Sequence, residues 1–138
     1  MADKTATFSL SLSYPNPGGA VAAAPTQVVS VPYQAMTYGE LDIPDATAAS
    51  TELPISLAGI GTAATGIALK NESGQELDVE FNDGTEKPFS IPTGGMVIIA
   101  FPTEPSATPI TALTVTTSAE QSGDGIVKYW AFGDPTGV

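Results

Sequence analysis

The segment Glu76-Leu77-Asp78-Val79-Glu80-Phe81-Asn82 alternates without a break. Leu77, Val79 and Phe81 fall on one side of an extended chain, and Glu76, Asp78 and Glu80 on the other. Side chains of a strand point to opposite faces with period two, so the segment reads as a strand with one buried and one wet face. Just upstream, Gly66 to Asn71 puts Ile67 and Leu69 on one face, and Asn71-Glu72-Ser73-Gly74 has turn chemistry. Together the two runs predict a β-hairpin.

The same reading extends in both directions. Asn82-Asp83-Gly84-Thr85 turns the chain into Phe89-Ser90-Ile91, and Pro92-Thr93-Gly94-Gly95 leads into Met96 to Phe101. That last run is continuously apolar, which predicts a central strand covered on both faces. Ile110 to Thr117 follows with Leu113 and Val115 inward. Ile126 to Phe132 closes the series, and Trp130 is expected in the core with Ile126 and Phe132.

In the first half, Thr7 to Ser13 alternates strictly, so Phe8, Leu10 and Leu12 are expected to be buried. Ala20 to Ala24, between Gly19 and Pro25, reads as loop. Gln27 to Tyr33 is β-branched, with Pro32 marking an edge or a bulge. Ala35 to Ile43 is a further strand with Gly39 as its weak point. Pro44 to Thr51 reads as a loop in which Asp45 caps a short helical turn. Leu53, Ile55 and Leu57 then alternate up to Gly59 and Gly61.

The fold class expected is therefore all-β: a single-domain, antiparallel β-sandwich, jelly-roll-like, of about 8–10 short strands with turn signals between them. One domain is expected over residues 1–138, with a loop- and arm-rich part at about 14–52 that could serve as an inter-subunit clasp. Twelve prolines, from Pro15 to Pro135, leave few windows for a long helix.

Charge narrows the function classes. Fifteen acidic residues stand against four lysines, with no Arg and no His, for a net charge of -11. Phosphate backbones are bound by Lys and Arg, so nucleic acid is not an expected partner. An anionic membrane surface would be repelled in the same way. The absence of Cys excludes disulfides, thiolate chemistry and Cys-based metal sites, and mildly favours folding in a reducing cytoplasm. The start, Met1-Ala2-Asp3-Lys4-Thr5, lacks the apolar run of a signal peptide, so secretion by that route is not expected.

Without His or Cys, neither a Ser-His-Asp nor a Cys-His arrangement can be built. A Ser-Lys dyad would have to use Lys70, Lys87 or Lys128, and no spacing supports one. Glu76, Asp78 and Glu80 invite comparison with glycosidase carboxylates. On a solvated face, however, they read better as a charged exterior that keeps a sheet soluble. Asp83 and Glu86, and Asp124 and Asp134, supply hard oxygens suited to calcium, but their spacing matches turns better than a calcium loop. Tyr14, Tyr33, Tyr38, Tyr129 and Trp130 are the aromatics from which a sugar-stacking platform could be made. Asn71-Glu72-Ser73 matches a glycosylation acceptor but is better explained as a turn. No catalytic, cofactor-binding or metal-ligating residue is assigned, no cofactor is expected, and the chain is not expected to be an enzyme.

One resemblance adds to this reading. The segments concerned are Gly66 to Ser73 (GIALKNES), Leu77 to Phe81 (LDVEF), Phe89 to Gly95 (FSIPTGG), Ile110 to Val115 (ITALTV) and Ile126 to Asp134 (IVKYWAFGD). Their pattern resembles virion structural proteins of tailed bacteriophages, namely the small β-sandwich proteins that decorate capsids or form minor head and tail parts. It covers about half the chain and transfers no functional residue. It implies a protein made in the host cytoplasm and located in the virion. Expected partners are the major capsid or other virion proteins, together with further copies of itself. A symmetric homo-oligomer would follow, such as a trimer, with the number left open. Repeated weak contacts would give lattice avidity, and Val21 to Val31 could add a strand to a neighbour. The alternatives are a tail or fibre component, and a carbohydrate-binding or adhesin-like module.

Overall fold

The computed structural model describes residues 4–15, 18, 21–60, 64–82, 89–102 and 109–133. Ten strands are present among them: β1 Lys4–Pro15, β2 Val21–Tyr33, β3 Ala35–Ile43, β4 Glu52–Ile55, β5 Ala64–Glu72, β6 Leu77–Phe81, β7 Phe89–Ile91, β8 Met96–Ala100, β9 Leu113–Thr117 and β10 Gly125–Gly133. The described residues hold no α-helix, and a single 3-10 turn spans Ala58–Ile60. All pairings between strands are antiparallel.

Strands β3 to β10 form two four-stranded sheets, in the orders β3-β10-β5-β8 and β4-β9-β6-β7. The nested pairs β3 with β10, β4 with β9, β5 with β8 and β6 with β7 are what results when one long antiparallel ribbon is wrapped round a core. That is a jelly roll. The two sheets pack face to face, as the alternation around Leu77 requires.

The core lies between them. Ile67, Leu69, Val127 and Ala131 come from the first sheet, and Leu77, Val79, Leu113 and Val115 from the second, each no more than 1% exposed. Tyr129 also faces inward, and its ring lies over Gly39, its cross-strand partner. Gly39 is thus a seat for an aromatic ring rather than a weak point, because any Cβ there would collide with that ring.

Wrapping also corrects the expected hairpin. β5 and β6 are consecutive, yet they lie in different sheets. The connection between them is an arch that crosses the core's edge, held by the buried side chain of Asn71. Its Nδ2 donates to the carbonyls of Gln75 and Ile91, both at 2.8 Å, and its Oδ1 accepts the Ser73 N–H at 2.9 Å. A hairpin turn would have exposed that amide. Here it stitches two sheets, which also leaves Asn71 0% exposed and closed to any glycosylation reading.

The loops at the same end are tied together. Gln75 Nε2 donates to Gln121 Oε1 at 2.9 Å, and Gln121 Nε2 to the Gly123 carbonyl at 3.0 Å. Asp45 caps no helical turn; its carboxylate accepts the Gly123 N–H at 2.7 Å, and its own N–H donates to Asp124 at 3.0 Å. Ala46 and Ser50 nearby adopt positive φ (64° and 61°), a conformation that ends a helical turn instead of extending it.

β1 and β2 belong to neither large sheet and form a two-stranded ribbon of their own. The expected loop at Ala20 to Ala24 is strand from Val21 onward, because the backbone of β1 supplies partners: Leu12, Ser13 and Tyr14 pair with Ala24, Ala23 and Ala22. Ala20 itself lies outside the described residues. The register shifts by one residue between Leu10 and Leu12, so Pro25 and Thr26 together stand opposite Ser11. A bulge tolerates a residue without an N–H, and Pro25 occupies it.

Candidate docking surface

The first sheet has an outer face whose rows can be read directly from the strand register. Towards one end it carries Asp42, Ile126 and Glu72, then Glu40, Lys128, Lys70 and Met96; towards the other it carries Tyr38, Trp130, Ala68 and Ile98, then Met36, Phe132, Gly66 and Ala100. One face thus divides into a charged half and an apolar half. Charges in the first half pair locally, with Lys128 Nζ at 3.2 Å and Lys70 Nζ at 3.6 Å from the Glu72 carboxylate. The hydrogen bond from Lys128 holds Glu72 below its ordinary acidity range, and Glu72 in turn raises Lys128.

On the apolar half, Met36 and Tyr38 are 50% exposed and Ile98 47%; Met96, beside Lys70 at the border with the charged half, is 51% exposed. Trp130 is half-buried there, its ring 5.2 Å from that of Tyr38 and tilted by 42°. The expectation that Trp130 belongs to the core is therefore corrected. It shares a face with Ile126 and Phe132 as read, but that face points outward, and Tyr129 takes the inward place.

β8 departs from expectation in the same way. Its continuous apolarity predicts a doubly covered central strand, yet it sits at the edge of its sheet with Met96 and Ile98 exposed. The inward residues Val97 and Ile99 do pack against the core.

The root of the ribbon rests on this apolar half. The Phe8 ring meets Phe132 edge to face at 5.5 Å, and Tyr33 meets the same ring at 5.1 Å. Gly66 makes room, since a Cβ there would stand 2.9 Å from the tip of Phe8. Val31 is fully buried, and Thr65 Oγ1 donates to the Pro32 carbonyl at 3.0 Å. Beyond the root the contact ends. Leu10, Leu12 and Val28 are 60%, 55% and 56% exposed, so the predicted burial of Leu10 and Leu12 does not occur within one chain. An open groove of about 310 Å³ remains between Phe8, Leu10 and Val29 on the ribbon and Ile98 and Ala100 on β8.

Other candidates resolve differently. Glu76 is exposed and Asp78 accepts the Ser90 hydroxyl at 2.6 Å, but Glu80 is only 9% exposed, beside Thr114 of the adjoining strand. The three carboxylates therefore do not share one solvated face, because an interior strand is flanked by neighbours where an edge strand is not. Asp42, Glu72 and Asp124 line a hollow near the charged half. Glu72 there is ion-paired and lowered, the opposite of what a general acid needs. Lys70 and Lys128 serve Glu72. Among the described residues no group of three or more carboxylates could hold a metal ion. Asp83, Glu86, Lys87 and Asp134, and the side chain of Tyr14, lie outside the described residues.

No protein-family model matches the chain, and no curated protein is detectably similar to it.

Proposed function

We propose that the protein is a virion structural subunit, a capsid decoration or stabilising protein that binds a lattice through repeated non-covalent contacts. The observation that carries this reading is the placement of the exposed large apolar side chains. Among the described residues, the seven exposed large apolar side chains lie on the ribbon (Leu10, Leu12, Val28), on the apolar half of one sheet face (Met36, Tyr38, Ile98) or, for Met96, at the border of that half beside Lys70. An apolar surface gathered in this way is the mark of a protein–protein contact. A tail or fibre component would use it in the same manner. The jelly-roll wrap supports the reading by analogy only, since that architecture serves capsids and lectins alike.

A carbohydrate-binding module is favoured by one specific observation, the adjacent and partly exposed rings of Tyr38 and Trp130. Their 42° tilt is against it, because sugars stack on a flat platform. Co-sedimentation with purified particles separates the readings. A structural subunit pellets with particles, and substitution of Tyr38 and Ile98 by charged residues abolishes the pelleting. Retention on a glycan array by a protein that ignores particles contradicts it.

A further inference from the structure

We infer that the ribbon docks on the apolar face of a second copy of this chain, so that the protein assembles by exchange of β1–β2 arms. The inference rests on the assembly reading above and names the partner of the same surface.

Three observations lead to it. The first is a mismatch between pattern and burial. Leu10 and Leu12 sit in a strand patterned for one buried face, and Met96 and Ile98 in a run patterned for two, yet all four are about half exposed or more in one chain. An edge strand with no charge, Pro or Gly invites pairing, and a lone two-stranded ribbon is barely stable in water. Each lacks a cover of the kind that the other supplies.

The second is chemical continuity. The ribbon's root already shows how its apolar side fits this sheet face: Phe8 in the hollow at Gly66, with Val31 and Tyr33 beside it. Leu10 and Leu12 carry the same side of β1 onward, and Tyr38, Trp130 and Ile98 carry the same sheet face onward. The contact made within the chain is the beginning of the contact proposed between chains.

The third is charge, and it selects a second copy as the occupant. Copies of a chain with net charge -11 repel each other wherever acids face acids. From Thr5 to Gly39 the sequence contains no charged residue at all. The arm and the apolar half-face can therefore meet their equivalents without bringing carboxylates together. A basic partner would be drawn instead to the acidic surfaces and would gain nothing from a neutral arm.

Because the chain has no cysteine, the contact can be tested by introducing one on each side. Leu12→Cys and Tyr38→Cys variants of the full chain are mixed under oxidising conditions, and masses are measured by light scattering and non-reducing electrophoresis. Wild-type protein at micromolar concentration is expected to be a multiple of 14.0 kDa. The mixture should form a Leu12→Cys–Tyr38→Cys cross-linked dimer faster than either variant does alone. A Leu10→Asp, Leu12→Asp double variant, altered only at exposed positions, should keep its β-sheet circular dichroism while its self-affinity falls at least about tenfold. A wild-type monomer at every concentration overturns arm exchange, as does an oligomer indifferent to the double variant. Particle co-sedimentation keeps the two claims apart. A monomer that still pellets with particles sinks only the exchange, whereas an arm-exchanged oligomer that ignores particles sinks only the virion reading.

Discussion

β6 and β1 carry the same pattern, with apolar residues at every second position, and the structure treats them oppositely. In β6, Leu77 and Val79 are fully buried between two sheets. In β1, only Phe8 finds a seat, and Leu10 and Leu12 stand in the open. Period two tells which side of a strand is apolar, but not what will cover it. For β6 the cover is the opposite sheet of the same wrap; for β1 it must come from outside the chain if it comes at all. Alternation is a local property, and burial is not.

The sharpest way to break this comparison is to cut the same side chain at both places. Leu77→Ala should lose roughly 2–5 kcal/mol of stability in urea unfolding, through lost transfer energy and a cavity. Leu12→Ala should change it by no more than about 0.5 kcal/mol. Equal losses would mean that the ribbon is part of the core.

Asn71→Ala comes next. It removes two donors from buried carbonyls in the arch between the sheets, and roughly 2–4 kcal/mol should be lost on thermal or urea unfolding. A neutral result would mean that water serves the Gln75 and Ile91 carbonyls as well as Asn71 does.

The two glycine seats give a third contrast. Gly39→Ala drives a Cβ into the inward ring of Tyr129, whereas Gly66→Ala presses on the far end of the Phe8 side chain and meets Val31 only at ordinary contact distance. The first should cost about 1–3 kcal/mol. The second should leave the melting transition almost unmoved while exposing the ribbon to limited proteolysis. Reversal of that order would place the ribbon, not Tyr129, in the cooperative unit.

The smallest effect concerns the charged half-face. Because Glu72 is lowered below 4.5 in the folded chain, its pairing stabilises above that pH and is lost as acidification passes through the folded value. Lys128, raised above 10.5, contributes below that pH and loses its contribution as alkalinity passes its own folded value. Glu72→Gln should therefore lower the melting temperature slightly near neutrality, less so in high salt, and not at all in strong acid.

These contrasts also explain what the sequence could disclose. The strands at Thr7 to Ser13 and Glu76 to Asn82, and the inward faces of Leu77, Val79, Leu113 and Val115, are legible because alternation reports them directly, whereas Gln27 to Tyr33 is legible from its β-branched residues. Wrapping is not: nothing local to Asn71-Glu72-Ser73-Gly74 distinguishes a hairpin turn from an arch, since the difference lies in the partners of the Asn71 amide. Trp130 reads as core because it shares a strand face with Ile126 and Phe132; that face turns outward, and Gly39 leaves the inner side to the ring of Tyr129. The reading of about 14–52 as loop- and arm-rich leaves out most of β1, and Met96 and Ile98 read as the middle of a sheet because continuous apolarity does not say what covers a strand.

Amide hydrogen exchange, followed on the full chain as it is concentrated from dilute solution, tests this division most directly. If one chain completes the jelly roll and leaves the ribbon and its target face for a partner, amides of β5, β6, β9 and β10 exchange slowly throughout, and those of β1, β2 and β8 slow markedly only as copies meet. Protection of β1 and β2 equal to that of β6 in the dilute chain, or no gain in protection on association, would contradict it.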